Sequence, residues 1–253
     1  ILKSRDKNTN ANANGCGCGC LQRELDTPKF RDAPFSEDCD FPEYIFVTFF
    51  VDGLFTQVTS RKYSGKKDTM NRNKVGITAL PVSTMVDYLQ ESINFFHKKS
   101  CLVVRTNNAS LFKTSRKMLI LDDDVSILPS YTSTKIAEQQ KFYNKIFSAT
   151  LKSETVLTFL DPDMLLVSKL EYLRKEASNF DIAVTVRDYV KMPINAGFFA
   201  ISGQAKQVLV DKIFSDMIDT SKNLSTVFAD QIALLSVFRC EGHRKIHTIK
   251  HAN

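Results

Sequence analysis

The sequence predicts an α/β fold: a single Rossmann-like domain with a mostly parallel sheet flanked by helices. Three observations point there. Two nearly continuous apolar runs, YIFVTFFV at 44–51 and VLTFL at 156–160, are too uniformly apolar for strands with one wet face and suit strands covered on both sides. Short β-branched runs alternate with longer stretches of helical period, the pattern of parallel strands joined by crossover helices. At 253 residues and 43% hydrophobic content, the chain can bury one sizeable core.

Residues 1–20 are rich in Asn, Gly, Lys and Cys, and 21–43 carry three prolines, so 1–43 read as a disordered or irregular lead-in and 44–253 as the folded domain. The strand at 44–51 ends at Asp52-Gly53. A polar, basic stretch at 56–80 reads as a long loop. Behind Pro81, the spacing of Val82, Met85, Val86, Leu89, Ile93 and Phe96 predicts a helix over 82–99. Short strands follow at 101–105 and 118–121, the second running into Asp122-Asp123-Asp124. Ile136, Phe142, Ile146 and Phe147 stripe a helix over 134–151, and 155–160 is a further strand. A short helix at 168–177, strands at 182–186 and 197–201, and helices at 204–218 and 229–238 complete the order.

Composition narrows the partners. The net charge of +6 is scattered over Arg61-Lys62, Lys66-Lys67, Lys98-Lys99 and Arg244-Lys245, with no dense basic run interleaved with stacking aromatics. A solvated surface therefore explains it better than a nucleic-acid track, and a basic mouth for an anionic ligand fits equally well. Nineteen Phe and no Trp read as core. Cys16, Cys18 and Cys20 alternate with glycine but lack a second pair at zinc-finger spacing, so a surface turn is expected there, with soft-metal binding or disulfides as the alternatives. Cys39, Cys101 and Cys240 are dispersed. No stretch has the length of a membrane-spanning helix, and the opening at Ile1 without a recognisable signal peptide suggests a trimmed chain whose compartment, lumen or cytoplasm, is open.

The chemistry concentrates at Asp161-Pro162-Asp163, delivered by one apolar run and followed by another, Met164-Leu165-Leu166-Val167. Two acids at the end of a buried strand must repel each other or share a cation. Oxygen-only ligands suit Mg²⁺ or Mn²⁺, which retain coordination sites for substrate phosphates. The rival site is Asp122-Asp123-Asp124, but three adjacent acids on an extended chain point in different directions, so a turn or cap before Ser126 is the better reading. Lys135, Lys141 and Lys145 could steer a diphosphate, but solvated helix surface is the better default. Arg187-Asp188, after a strand, is a candidate pocket wall. Thr48 and Asp52, near the end of the first strand, are candidates for the nucleotide, because open α/β sheets bind ligands outside the carboxyl ends of their strands.

Three segments in one order, FLDPDMLLV at 159–167, INAGFFAIS at 194–202 and ADQIALL at 229–235, together resemble the A-type glycosyltransferases, nearest in layout to the retaining glycogenin-like families. The likeness covers about 44–253 in layout, and only the three segments are specific. It implies a nucleotide-sugar transferase in which Asp161 and Asp163 hold Mn²⁺ or Mg²⁺ against the donor diphosphate, Asp161 also touching the ribose. It further implies that Asn195-Ala196-Gly197 form a tight turn lining the sugar pocket, where Gly197 permits close backbone approach and the Asn195 amide can bond donor or acceptor hydroxyls. Asp230 and Gln231 would open a helix beside the transferred sugar. A histidine completes the metal shell in such families, and His251 is the best placed by order among His243, His247 and His251. The implied partners are a nucleotide-sugar donor, a UDP-sugar, and a glycan, protein or small-molecule acceptor hydroxyl. Two other readings fit the same residues: a metal-dependent nuclease or phosphatase pairing Asp122 to Asp124 with Asp161 and Asp163, and a catalytically silent module that keeps the fold.

Overall fold

The structure, a computed structural model, describes residues 43–51, 80–113, 115, 117–122, 131–148, 154–188, 193–224 and 228–240. Six strands form one sheet: β1 (Tyr44–Phe50), β2 (Ser100–Thr106), β3 (Met118–Asp122), β4 (Val156–Leu160), β5 (Ile182–Val186) and β6 (Ile194–Ser202). Among the described residues five α-helices accompany them: α1 (Val82–Phe96), α2 (Tyr131–Ser148), α3 (Glu171–Lys175), α4 (Gln207–Lys222) and α5 (Ala229–Cys240). The sheet order is β3-β2-β1-β4-β6-β5. Pairing is parallel from β3 through β4, and β6 alone runs the other way, antiparallel to both β4 and β5.

The uniform apolarity of β1 has the cause its sequence suggests, since all seven residues are buried. Ile45 and Val47 join a core with residues of α2, α4 and α5, while Tyr44, Phe46 and Phe50 join a second core with residues of α1 and α3. β4 splits the same way, Leu157 and Phe159 to the first side and Val156 and Leu160 to the second. A sheet covered on both faces needs such strands. On the first side Phe214 packs edge-on against both Phe159 and Phe199, at ring-centroid distances of 6.2 and 5.8 Å.

The expected elements are all present, with shifted ends. α2 begins three residues before the expected 134, and α1 ends at Phe96 rather than 99, where the backbone amide of His97 closes the last turn on the Ile93 carbonyl at 2.7 Å. The apolar stripe of α2 misled at its amino end, because the polar residues Thr132 to Lys135 are themselves buried there. Cys101, on β2, is disulfide-bonded.

The larger correction concerns Asn195-Ala196-Gly197. These residues do not make a tight turn but lie inside β6. The physical reason is a slip in pairing: Val184 of β5 faces Phe199, yet the next residue, Thr185, faces Asn195. Ala196, Gly197 and Phe198 are therefore skipped on the β5 side, while Phe198 still pairs with Leu160 of β4. A local irregularity of this kind re-aims side chains without breaking the strand.

No helix among the described residues is long and apolar enough to cross a membrane. The lead-in 1–42, the loop at 56–79, Asp52, Asp123, Asp124, the cysteine cluster Cys16 to Cys20 and the histidines His243, His247 and His251 lie outside the described residues.

Candidate functional site

Sheet order alone selects one edge. From β1 the chain moves outward through β2 and β3, then returns to place β4 on the other side of β1. Between β1 and β4 the winding reverses, and in open α/β sheets the crevice outside the carboxyl ends of the strands at such a reversal is where ligands bind. Asp161 is the residue that follows β4 at that point. Its backbone amide donates to the Gly197 carbonyl at 3.0 Å, and its own carbonyl accepts from Met164 at 3.1 Å, which closes a tight turn around Pro162 and Asp163.

The residue that organises the site was misread from the sequence. Lys135 is not on solvated helix surface: only 6% of it is exposed. Its Nζ donates to Asp161 Oδ1 at 2.5 Å and to Asp230 Oδ2 at 3.2 Å, so one ammonium bridges an acid after β4 and an acid in the first turn of α5. Burial by itself would lower the lysine pKa. The two carboxylates, Asp161 first, outweigh it and hold the ammonium well above the usual lysine range. The signal available in the sequence was position, since Lys135 lies one turn after the start of a helix whose amino end lies at the carboxyl edge of the sheet.

Tyr131, one turn earlier on α2, is a second residue the sequence reading passed over. It packs on Phe49 with ring centroids 6.1 Å apart. Burial pushes its phenol up to about 12; Lys135 pulls the other way, and Asp161, Asp230 and Asp163 add to the rise. The phenol thus lies within electrostatic reach of all three acids.

Gly197 and Asn195 form the opposite wall. The Gly197 amide donates to Asn195 Oδ1 at 3.1 Å, fixing that side-chain amide with its oxygen turned inward. A Cβ at position 197 would stand 2.9 Å from Asp161 Oδ2 and 3.2 Å from Asn195 Oδ1. Glycine at this position leaves room for the neighbouring Asp161 carboxylate. Asp230 uses its second oxygen to accept from the Gln231 amide at 2.8 Å. Gln231 Oε1 in turn accepts from Arg187, which follows β5.

The structure therefore brings together Asp161, Asn195, Gly197, Asp230 and Gln231 with Arg187, the candidate pocket wall, and adds Lys135 and Tyr131. Asp163 is exposed on the turn beside them. Thr48 is not brought to the cleft surface: it is fully buried within β1, with its hydroxyl lacking a hydrogen-bond partner, and it offers no surface to a nucleotide. The reason is its place in mid-strand, where it pairs with Leu160 and Val104 on either side. Arg105 and Glu138 make a separate buried ion pair at 2.7 Å between β2 and α2.

Among the described residues, no group of three or more His, Cys, Asp or Glu side chains is arranged to hold a metal ion. The described donors are nonetheless of the right chemistry for a hard divalent cation that keeps water and phosphate ligands.

No protein-family model matches the chain, and no curated protein matches it in sequence. Among solved structures the chain is similar to the glycosyltransferase GlyE in Streptococcus pneumoniae TIGR4, with 11% sequence identity and a TM-score of 0.46. That match covers 77% of this chain and 43% of the other, so the chain spans less than half the length of the structure it resembles.

Proposed function

We propose that the protein is a metal-dependent glycosyltransferase of the A-type fold, moving a sugar from a nucleotide-diphosphate donor, a UDP-sugar, to an acceptor hydroxyl on a glycan, a protein or a small molecule. The observation that carries this reading is the convergence, at the winding reversal of the sheet, of Asp161 and Asp230 on the Lys135 ammonium, with Gly197 and Asn195 packed beside Asp161. Asp161 and Asp163 would hold Mn²⁺ or Mg²⁺, with His251 as a further ligand, and the ion when bound neutralises the donor diphosphate and so favours its departure.

The chain's own residues do the rest. Lys135 holds the Asp161 carboxylate in one rotamer and pins the Asp230 carboxylate beside it, so both acids are oriented before any ligand arrives. Gly197 leaves room for that carboxylate. With Asn195 Oδ1 engaged by a backbone amide, the Asn195 NH₂ group remains as a donor to sugar hydroxyls. Asp230 sits at a helix start where its carboxylate can accept from a hydroxyl of the transferred sugar. Asp52 remains the candidate for the nucleotide.

Calorimetric titration with UDP-glucose, UDP-galactose and UDP-N-acetylglucosamine, in Mn²⁺ and then in EDTA, tests this reading. Binding is expected in Mn²⁺ only and should be lost in Asp161→Asn and Asp163→Asn. Folded, metal-supplied protein that binds none of the three, or that cleaves phosphodiesters instead, overturns it.

A further inference from the structure

We infer that Arg187 is a positioning residue that locks the Gln231 side-chain amide with its NH₂ group presented to the sugar of the donor. The inference deepens the glycosyltransferase reading and rests on it. Arg187 closes the neck of the β5–β6 connection, its backbone amide donating to the Pro193 carbonyl at 2.7 Å. Its guanidinium reaches across that neck, with Nη2 donating to Gln231 Oε1 and lying 3.5 Å from the Ile194 carbonyl. One side chain thereby ties the residue before Asn195 to the first turn of α5, next to Asp230.

The direction of the amide follows from chemistry. A guanidinium has donors only, so the Gln231 atom facing it must be the oxygen. The Gln231 backbone N–H is already taken by Asp230 Oδ1 at 2.8 Å. What Gln231 has left are the two N–H groups on Nε2, which have no hydrogen-bond partner among the described residues. Gln231 is partly exposed in the first turn of α5, beside Asp230. It is therefore a hydrogen-bond donor there, suited to a sugar hydroxyl oxygen, and Arg187 prevents the amide from turning its carbonyl outward instead.

The test compares two affinities in Mn²⁺: that for UDP, and that for the tightest of UDP-glucose, UDP-galactose and UDP-N-acetylglucosamine. Their ratio isolates what the sugar contributes. Gln231→Glu keeps an acceptor for Arg187 but removes both outward donors, so the ratio should fall about five- to tenfold, the worth of one hydrogen bond, with UDP affinity within about twofold of the wild type. Arg187→Ala should lose a comparable part of the ratio and recover it when millimolar guanidinium is added, a rescue that a general structural defect would not show. If Arg187→Ala does not fold, Gln231→Glu decides the matter alone. An unchanged ratio in Gln231→Glu overturns the inference and leaves the glycosyltransferase reading standing, whereas wild-type protein that binds neither UDP nor any UDP-sugar removes both.

Discussion

Replacing Lys135 by methionine keeps the shape of the side chain and removes the charge that joins β4 to α5. At the measured separations of 2.5 and 3.2 Å, the attraction of the ammonium to Asp161 and Asp230 is about 6.6 and about 5.2 kcal/mol with an effective dielectric constant near 20. Most of this gross attraction offsets the cost of burying the ammonium. Breaking a buried pair while leaving its partners charged costs about 3–5 kcal/mol, and the lower end applies here because the Asp161 side chain is 34% exposed and water can reach it. The expected loss is therefore about 3 kcal/mol, or a fall in Tm of about 6–12 °C for a chain of this size. The loss should also depend on pH. Lys135 has its pKa raised on folding, so its contribution is complete below the ordinary lysine value and is lost as pH climbs through the higher folded value. Urea denaturation of both proteins at pH 7 and 9 checks this: the gap should be near its full size at both. A gap below about 0.5 kcal/mol at pH 7 would refute the view that this ammonium organises the site.

Other perturbations separate the parts of the site from its frame. Gly197→Ala should cost only about 1 kcal/mol in stability, yet weaken Mn²⁺-dependent UDP binding by about tenfold or more, because the new methyl displaces the Asp161 carboxylate; thermal melts and calorimetry read the two effects separately. His97 accepts a hydrogen bond from the Leu170 amide at 3.2 Å and packs on Tyr44, and burial lowers its pKa, with Glu43 and Glu171 opposing and Lys169 adding to the shift. Its contribution should be present above the unfolded value near 6.5 and lost as pH falls through the folded one, so the wild type should lose stability between pH 7 and 5 more steeply than His97→Asn. Reducing the disulfide at Cys101 with dithiothreitol should lower the unfolding free energy by about 2–4 kcal/mol, read by denaturation with and without reductant.

What could be read in the sequence followed from period and burial. β1 and β4 were legible because a strand covered on both faces has no choice but to be apolar throughout, and Asp161 was legible because a charge directly after such a strand demands an explanation. Asp230 and Gln231 fell in the first turn of α5 as the resemblance implied. Lys135 was missed for the opposite reason: a charged residue on a helix is by default at the surface, and only a tertiary partner, here two acids distant in sequence, brings it inside. The turn at Asn195 to Gly197 rests on the resemblance alone, and pairing on two sides makes the triplet strand instead, with β4 in regular register and β5 slipping past. Arg187 could not have been linked to Gln231 without the sheet order, since 44 residues separate them.

The single reversed strand has a consequence for how such a site can change. Because β6 runs against its neighbours, the hairpin that precedes it opens on the same rim as the end of β4, whereas the link from β6 into α4 lies on the far rim, where the Gly203 amide meets the Thr155 carbonyl at 2.8 Å. Substitutions at Arg187 or Pro193, on that rim, would be felt at the cleft while leaving the sheet's pairing intact. Similar edits after Ser202 would be silent at the cleft and felt only in the packing of α4. Selectivity and stability are thus written on opposite shores of one strand, free to drift apart as sequences diverge.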